Sequence, residues 1–508
     1  MMLVDKTLNS REVFFIFVVL SIFYVFPIVH ADYKYIDDNW RALLIGTEDW
    51  RPQGRVLLEM MLKGLTFGQS TINIFPLPLF ISVFIIAMAM TRLTLRYFPE
   101  PSAACCLVVL PLLTNPFFLG NLTYQYDGPA MVVSVAVVAY AITFDVKAVA
   151  YRCIGSAVLI AAALAFYQLT ISVFIGLCVV ELFWLISNGR SVKDVLSCVV
   201  QRVLQLVLGG GLYFITAYQW VDDRRGNLNL IDGEWFALVS RKFMFAMDKI
   251  SLLFNSQLLC VAMVFLFFAL MGYMMLLRRV VTMSGGAGGR VAVLGLCMVS
   301  VPLVVVCVPG AMLFLAEPNL DARNYLGFSS ALVLVFYLGY VFLSSLGRRL
   351  LVSFVVPALF MFSFCYAYGQ VLIAKKQLQS AMATYMAYDL VTNSELKSKR
   401  IFYFLGQRTA GNWIPQVHGA MSRLPVLRYI LSDSNTLLFP ETFAAMGIVN
   451  VINGDIFGFS SELDALKKQP CQSVVDNRFY TICVVGDVGL IAIKDIHDSE
   501  DYTDWFKR

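Results

Sequence analysis

Charge is what this chain has least of. Only 14% of its 508 residues are Asp, Glu, Lys or Arg, against 59% hydrophobic, and the mean hydropathy is +0.73. Soluble domains carry about a quarter charged residues, so an ordinary soluble fold is excluded. Histidine is almost missing, with His30, His418 and His497 the full set. There is no HExxH, no CxxC pair and no GxGxxG, which removes the usual ligands of zinc, haem and dinucleotides and disfavours a nucleotide-sugar enzyme. The one low-complexity patch, Ser284-Gly285-Gly286-Ala287-Gly288-Gly289, lacks the Lys-Ser/Thr of a phosphate loop. No internal repeat stands out. The net charge of +5 is spread between apolar runs rather than gathered in a block, so nucleic acid is not indicated as a partner.

Long apolar runs, by contrast, are abundant. A helix of about 20 residues crosses the hydrocarbon core, and eleven such runs are read near 13–30, 72–91, 103–120, 128–144, 153–167, 170–187, 199–220, 256–277, 291–315, 326–346 and 350–372. The first follows Lys6 and Arg11, but no small-residue cleavage site precedes the next charged loop, so it is expected to be a retained span rather than a signal peptide. Lys and Arg favour cytoplasmic loops. Arg92/Arg96, Lys147/Arg152, Arg190/Lys193/Arg202, Arg278/Arg279/Arg290 and Arg348/Arg349 occupy every second connection, which puts the N-terminus in the cytoplasm. The short loops 121–127 and 168–169 carry neither residue. With an odd number of spans, residues 375–508 and the first loop lie on the far side, the periplasm of a bacterial inner membrane.

The expected division is therefore a multi-spanning membrane domain over 1–374 and a small periplasmic α/β domain over 375–508. Residues 375–391 have helical spacing, Ile401–Phe404 reads as a strand, and Phe479–Val485 with Val488–Ile493 reads as a hairpin around Gly486-Asp487. Cys471 and Cys483 are the only cysteines of the tail, while the nine others lie in or beside spans and behave as small apolar residues. Two lone cysteines bracketing a hairpin favour a disulfide and an oxidising compartment, although two free buried thiols fit the same spacing.

The scarce charges concentrate after the first span, in Asp37-Asp38-Asn39-Trp40-Arg41 and Trp50-Arg51-Pro52-Gln53-Gly54-Arg55. Ionisable groups are costly to hold against a bilayer, so a cluster of two carboxylates and three arginines there is a site hypothesis. Attack of a hydroxyl on a sugar carried by a lipid phosphate needs a base for the acceptor proton and cations for the departing phosphate. A carboxylate and arginines meet those needs. Asp37 and Asp38 are candidate bases, one orienting the other, with Arg41 a helical turn away. Arg55 opens an amphipathic stretch in which Arg55, Glu59 and Lys63 follow at i, i+4 spacing. A solvated loop of ion pairs fits the same residues. On the same predicted face, Asn121-Leu122-Thr123-Tyr124-Gln125-Tyr126-Asp127 offers rings for sugar stacking with amide and carboxylate partners, or an aromatic belt. Tyr167-Gln168 either joins the site or caps a tight helical hairpin. Arg323, beside Asn324, either binds phosphate or pairs with Asp321. The loop 221–255, with Trp235, Phe236, Phe243, Met244, Phe245 and Met247 among Arg241, Lys242 and Lys249, suits a helix along the membrane surface.

Asp37-Asp38-x-x-Arg41, Gly46, Trp50, Gly54-Arg55, Tyr124-Gln125-Tyr126-Asp127 and Tyr167-Gln168 together resemble the pattern of the phage-type O-antigen glucosyltransferases of serotype conversion, the glucosyl transferase II family, over about residues 10–370. The resemblance implies a GT-C-type polytopic helical membrane fold that takes glucose from undecaprenyl phosphate and adds it, with inversion, to lipopolysaccharide O-antigen repeat units in the periplasm. It makes Asp37 or Asp38 the base, and Arg41 and Arg55 the donor-phosphate ligands. Trp50, Tyr124, Gln125, Asp127, Tyr167, Gln168, Arg323 and Asn324 are the further candidate substrate contacts. A small flippase and a donor synthase are the implied partners beside membrane lipid. No cofactor or obligatory divalent metal is expected, since the paired aspartates have no third oxygen ligand nearby in sequence. A lipid-linked sugar flippase or transporter and an O-antigen polymerase are the alternatives. The first would place charge inside several spans, where Glu181 is the main acid.

Overall fold

The computed structural model describes residues 6–44, 50–68, 71–222, 227–229, 231, 233–254, 256–405, 414–431, 440–453, 463, 465–466 and 468–494. Gly46 and His497 lie outside the described residues. Two compact units divide the chain. One comprises Met1–Val29 with Gly46–Tyr366, the other His30–Ile45 with Ala367–Arg508. The first part of the first loop, His30–Ile45, groups with the tail, and the rest of that loop with the membrane helices.

The first unit is a polytopic helical membrane protein. Its helices are α1 (Ser10–Ala31), α2 (Val56–Leu65), α3 (Leu77–Tyr97), a broken third span α4 (Ala103–Val109), α5 (Pro111–Thr114) and α6 (Leu119–Thr123), then α7 (Asp127–Thr143), α8 (Val149–Phe166), α9 (Thr170–Ser187), α10 (Val192–Ile215), α11 (Trp235–Ser251), α12 (Ser256–Val281), α13 (Ala287–Cys307) and α14 (Phe328–Leu346). A last helix, α15 (Val355–Thr392), runs across the division between the units. Among the described residues ten helical segments are long and apolar enough to cross a membrane. The eleventh expected span, α7, has 17 residues and is almost wholly buried. Membrane helices satisfy their backbone internally, and the third span departs from this. Pro111 and Pro116 each remove an N–H donor, and the buried Asn115 side chain fills the gap, accepting from the Phe117 N–H at 3.0 Å and donating to the Ser329 hydroxyl at 3.1 Å.

Charge inside this unit is closed on itself. Glu181 of α9 is buried and accepts from Arg202 of α10 at 2.6 and 2.9 Å and from Arg96 of α3. Arg202 also donates to the Ile142 carbonyl at 2.7 Å and the Ala141 carbonyl at 3.3 Å, near the end of α7, and to Gln205 at 2.8 Å. Unsatisfied carbonyls at a helix C-terminus attract cations, so one guanidinium joins three helices. Arg96 and Arg202, named among the flanking basic residues, turn toward Glu181. In α11, Phe236, Met244 and Phe245 are exposed as a surface helix requires, but Lys242 is buried and donates to the Asn229 side chain at 3.1 Å and the Leu315 carbonyl at 2.6 Å.

In the second unit, five strands β1 (Ile401–Leu405), β2 (Val451–Asn453), β3 (Gln472–Asp476), β4 (Tyr480–Val485) and β5 (Val488–Ile493) form one sheet in the order β2-β1-β5-β4-β3. β1 runs parallel to β2 and β5, and the other pairs are antiparallel. β4 and β5 form the expected hairpin, with Gly486 at φ +60° in its tight turn. The second half of α15 covers the sheet, packing Met382, Met386 and Leu390 against Phe402, Phe404, Ile482 and Ile491. Cys471 and Cys483 are joined as a disulfide with Cα atoms 5.6 Å apart. The pair brackets the β3–β4 turn rather than the β4–β5 hairpin, because Cys483 stands within β4 opposite Ser473.

Breaking a buried ion pair from one side leaves a charge without its counter-ion, at a cost of about 3–5 kcal/mol. Glu181→Ala is therefore expected to lower the thermal unfolding midpoint of the detergent-purified chain strongly, whereas Lys6→Ala, at an exposed ion pair with Glu12, should leave it nearly unchanged. Equal midpoints for the two variants would contradict the closed triad.

Candidate active site

The candidate residues fall into two clusters, one in each compact unit. In the second unit, the loop from His30 is held by the tail's own residues. The Tyr35 hydroxyl donates to the Ile430 carbonyl at 3.2 Å, and Lys376 donates to the Asp32 carbonyl at 2.6 Å and its carboxylate at 3.2 Å. Lys375 lies 5.8 Å from the Tyr33 ring centre. On this support sits one helical turn, Asp38–Arg41. Asp38 is buried and accepts from the Tyr35 N–H at 3.1 Å, while Asp37 keeps 38% of its side chain exposed and pairs with Arg41 at 3.4 Å. Arg41 is buried with its guanidinium 5.1 Å from the Trp40 ring centre. The two adjacent carboxylates therefore differ: one anchors the loop, and the other faces outward with a cation beside it. Ile36, immediately before them, has φ +42°. For a β-branched residue that is a strained conformation, of the kind that persists where surrounding structure over-determines it. Nothing in the sequence signals it.

The second cluster lies wholly in the membrane unit and centres on Asp127 at the start of α7. Its carboxylate accepts from Arg55 at 2.8 Å and from the Trp50 indole N–H at 3.2 Å, and the side chain is buried. A carboxylate in the first turn of a helix is favoured by the helix dipole. Arg55 lies 5.0 Å from the Tyr167 ring centre, and Tyr167 links onward: its hydroxyl donates to Asn324 at 3.3 Å and accepts from Asn121 at 3.4 Å. Arg323 donates to the Tyr124 hydroxyl, stacks 5.6 Å from that ring's centre, and reaches Asp321 at 3.8 Å. The two roles considered for Arg323 thus become a pairing with Asp321 and a contact with a candidate sugar-stacking ring. Gln125 accepts from Asn73 at 2.7 Å.

Trp50 and Arg55 bracket a short 3-10 turn, Arg51–Gln53, closed by Gly54 in the left-handed region at φ +71°. Gln168 donates to the Gln53 carbonyl at 2.6 Å and to the Tyr213 hydroxyl at 2.9 Å, and that hydroxyl donates to the Gly54 carbonyl at 3.4 Å. Gln168 is therefore a latch on the loop. The spacing that joined Arg55 to Glu59 is not used. Glu59 is buried between Arg51, at 2.9 Å, and Lys63, at 3.0 Å, because the turn at Gly54 folds Arg51 back over α2 while Arg55 points to Asp127. Tyr213 and Asn73 hold this region without having been singled out in the sequence, while Arg51, Glu59 and Asn121 were named there without these contacts. Among the described residues no three His, Cys, Asp or Glu side chains gather as a metal-binding group.

The family model described as glucosyl transferase GtrII matches residues 26–336, more than half of the chain. The chain belongs to the glucosyl transferase GtrII family. The match encloses every candidate residue from Asp37 to Asn324. A segment of 212 residues is 28% identical to a protein of Salmonella phage P22 described as an uncharacterized 55.3 kDa protein in the gtrB 5′ region, covering 41% of this chain and 42% of that one. The chain thus spans less than half the length of that relative. No solved structure matches it.

A methyl group on Gly54 would clash with the Tyr213 hydroxyl and stand 2.8 Å from the Gln168 amide nitrogen, on a backbone that L residues rarely adopt. Displacing a substrate-positioning loop by about 1 Å costs about 100-fold in rate. Gly54→Ala is expected to reduce glycosyl transfer by that order without loss of membrane insertion. Adding Tyr213→Phe, which removes the nearest clashing atom, should recover part of it, and full activity in Gly54→Ala alone would show that the loop's position does not matter.

Proposed function

We propose that this chain transfers a glucosyl group from undecaprenyl phosphate to repeat units of lipopolysaccharide O-antigen, at the periplasmic face of a bacterial inner membrane and with inversion. The observation that carries the reading is the family match, which covers both candidate clusters in one continuous segment. In the proposed reaction the acceptor oxygen bonds to the anomeric carbon as the bond from that carbon to the phosphate oxygen breaks. The acceptor proton passes to a carboxylate, and undecaprenyl phosphate leaves with the electron pair.

The roles follow from accessibility. Asp37 is assigned as the base because its carboxylate is partly exposed, and Asp38, buried against the Tyr35 N–H, is assigned to hold the loop. Arg55 keeps 19% of its side chain exposed while one nitrogen is committed to Asp127, which leaves further donors of its planar fork for a phosphate. Tyr124 and Tyr167 are buried, carry guanidinium groups on their rings, and are assigned to hold Arg323 and Arg55 toward the substrate. Charge stabilisation of the departing phosphate is given to arginines rather than to a divalent metal, so transfer should persist in EDTA. A flippase and a donor synthase are the proposed partners in supplying the lipid-linked sugar. The transporter alternative needs an intramembrane acid that can exchange partners, whereas Glu181 is bound by two arginines.

The test is the structure of the surface polysaccharide from cells with and without the gene, together with transfer by purified variants. Loss of a general base costs about 10²–10⁴-fold. Asp37→Asn should fall in that range with a smaller loss of thermal stability than Asp38→Asn, whose carboxylate is the buried anchor of the loop. An unbranched polysaccharide in cells that carry the chain, or full transfer by Asp37→Asn, would defeat the proposal.

A further inference from the structure

A cavity lined by none of the candidate residues lies in the membrane unit where α3, α9, α12 and α14 end. It encloses about 530 Å³ and is lined by Lys6, Glu100, Arg279 and Arg348, by the rings of Tyr337 and Tyr340, and by a set of serine hydroxyls. This is within the range of about 300–1,000 Å³ of small-ligand sites. We infer that the cavity is a binding site for the headgroup of an anionic phospholipid, with Arg279 as its phosphate ligand.

The charges are unevenly matched. Lys6 pairs with Glu12 at 2.5 Å and Arg348 with Glu100 at 3.0 Å, whereas among the described residues no carboxylate pairs with Arg279. Its guanidinium lies beside the turn after α9, with Nη2 3.3 Å from where a methyl group on Gly189 would stand, and Gly189 takes φ +67° there. Cations often neutralise helix C-termini, but the turn already satisfies α9. The N–H groups of Asn188, Gly189 and Arg190 donate to the carbonyls of Trp184, Ile186 and Leu185 at 3.0, 3.0 and 3.1 Å. Arg279 is therefore a cation in a polar cavity without a capping duty.

The rim has the second property a lipid requires. Met275, Val341 and Leu351 line the same cavity, and Leu270 and Met274, further back along α12, expose their side chains. An amphiphile can thus place its phosphate at Arg279, accept hydroxyl donors, and run its chains along the apolar face of α12. Basic pockets between membrane helices bind anionic headgroups in this way. The segments that end here carry the basic residues that the charge pattern assigns to the cytoplasmic side, so the lipid would come from that leaflet. The inference is independent of the transfer reaction proposed above.

The full chain, purified in detergent, would be titrated with phosphatidylglycerol, phosphatidylethanolamine or inorganic phosphate, with bound lipid counted by native mass spectrometry and stability followed by thermal unfolding. Phosphatidylglycerol is expected to be retained and to raise the unfolding midpoint. Arg279→Gln should weaken its binding about fivefold, since one basic side chain near a lipid phosphate contributes about 1 kcal/mol. Arg279→Lys should keep most of the binding, and Arg349→Gln, an exposed neighbour outside the cavity wall, should match the wild type. Equal retention of phosphatidylethanolamine, equal stabilisation by inorganic phosphate, or an Arg349→Gln loss as large as that of Arg279→Gln would each overturn the assignment.

Discussion

The polar end of the membrane unit depends on the carboxylate of Asp127. A buried acid is unfavourable by itself, and this one is compensated by an arginine, an indole N–H and the first turn of α7. Both side-chain partners arrive from the Trp50–Arg55 turn, 72 and 77 residues earlier in the chain. The requirement to satisfy one carboxylate therefore fixes where that turn lies. Through Arg55 it extends to Tyr167, and through Tyr167 to Asn121 and Asn324. The candidate residues of this cluster are consequently a network, in which removing one member leaves the partners of another unsatisfied.

The same constraint shapes the interior. Charge within a bilayer is retained when it is paired, and Glu181 meets this with Arg96 and Arg202, the latter also serving two carbonyls of α7. Two charged networks thus occupy separate parts of the unit with different degrees of closure. The Glu181 network has both carboxylate oxygens engaged by guanidinium groups. The Asp127 network keeps part of Arg55 exposed, above tyrosine rings that are themselves buried. That difference separates a structural ion cluster from a candidate site more clearly than the presence of charge does.

How much of this could be read from the chain follows from sequence separation. Apolar runs are local, so the spans were legible, and the helix over 375–391 and the β4–β5 hairpin rest on equally local periodicity. Asp37 and Arg41 were legible as a pair because i, i+4 spacing places them together. The same rule failed for Arg55 and Glu59, since Arg55 has φ −103° and ψ +51° and stands before the helix rather than within it. The ion pairs of Arg96 and Arg202 were not legible because their partner lies 85 and 21 residues away, and flanking position alone does not reveal an inward ion pair. The break of the third span was signalled by Pro111 and Pro116, but hydropathy averages over such interruptions.

The grouping of the first part of the first loop with the tail bears most on mechanism. Asp37 and Asp38 stand on a segment whose anchors, Tyr35 on Ile430, Lys376 on Asp32 and Lys375 by Tyr33, come from residues beyond the last span or reach into them. The strained Ile36 has no local cause in the sequence, so the conformation that presents Asp37 must be imposed by this packing. The tail therefore cannot be treated as an appendage that contributes only acceptor recognition. Removing residues 375–508 would take away the support of the proposed base, and loss of transfer in such a truncation would not distinguish acceptor choice from base positioning. Lys376→Ala separates them, because it releases two contacts to Asp32 while leaving the sheet and its disulfide in place. If the tail acts through the loop, that single change lowers the rate for every acceptor alike; if it acts only on acceptors, the rate is unchanged.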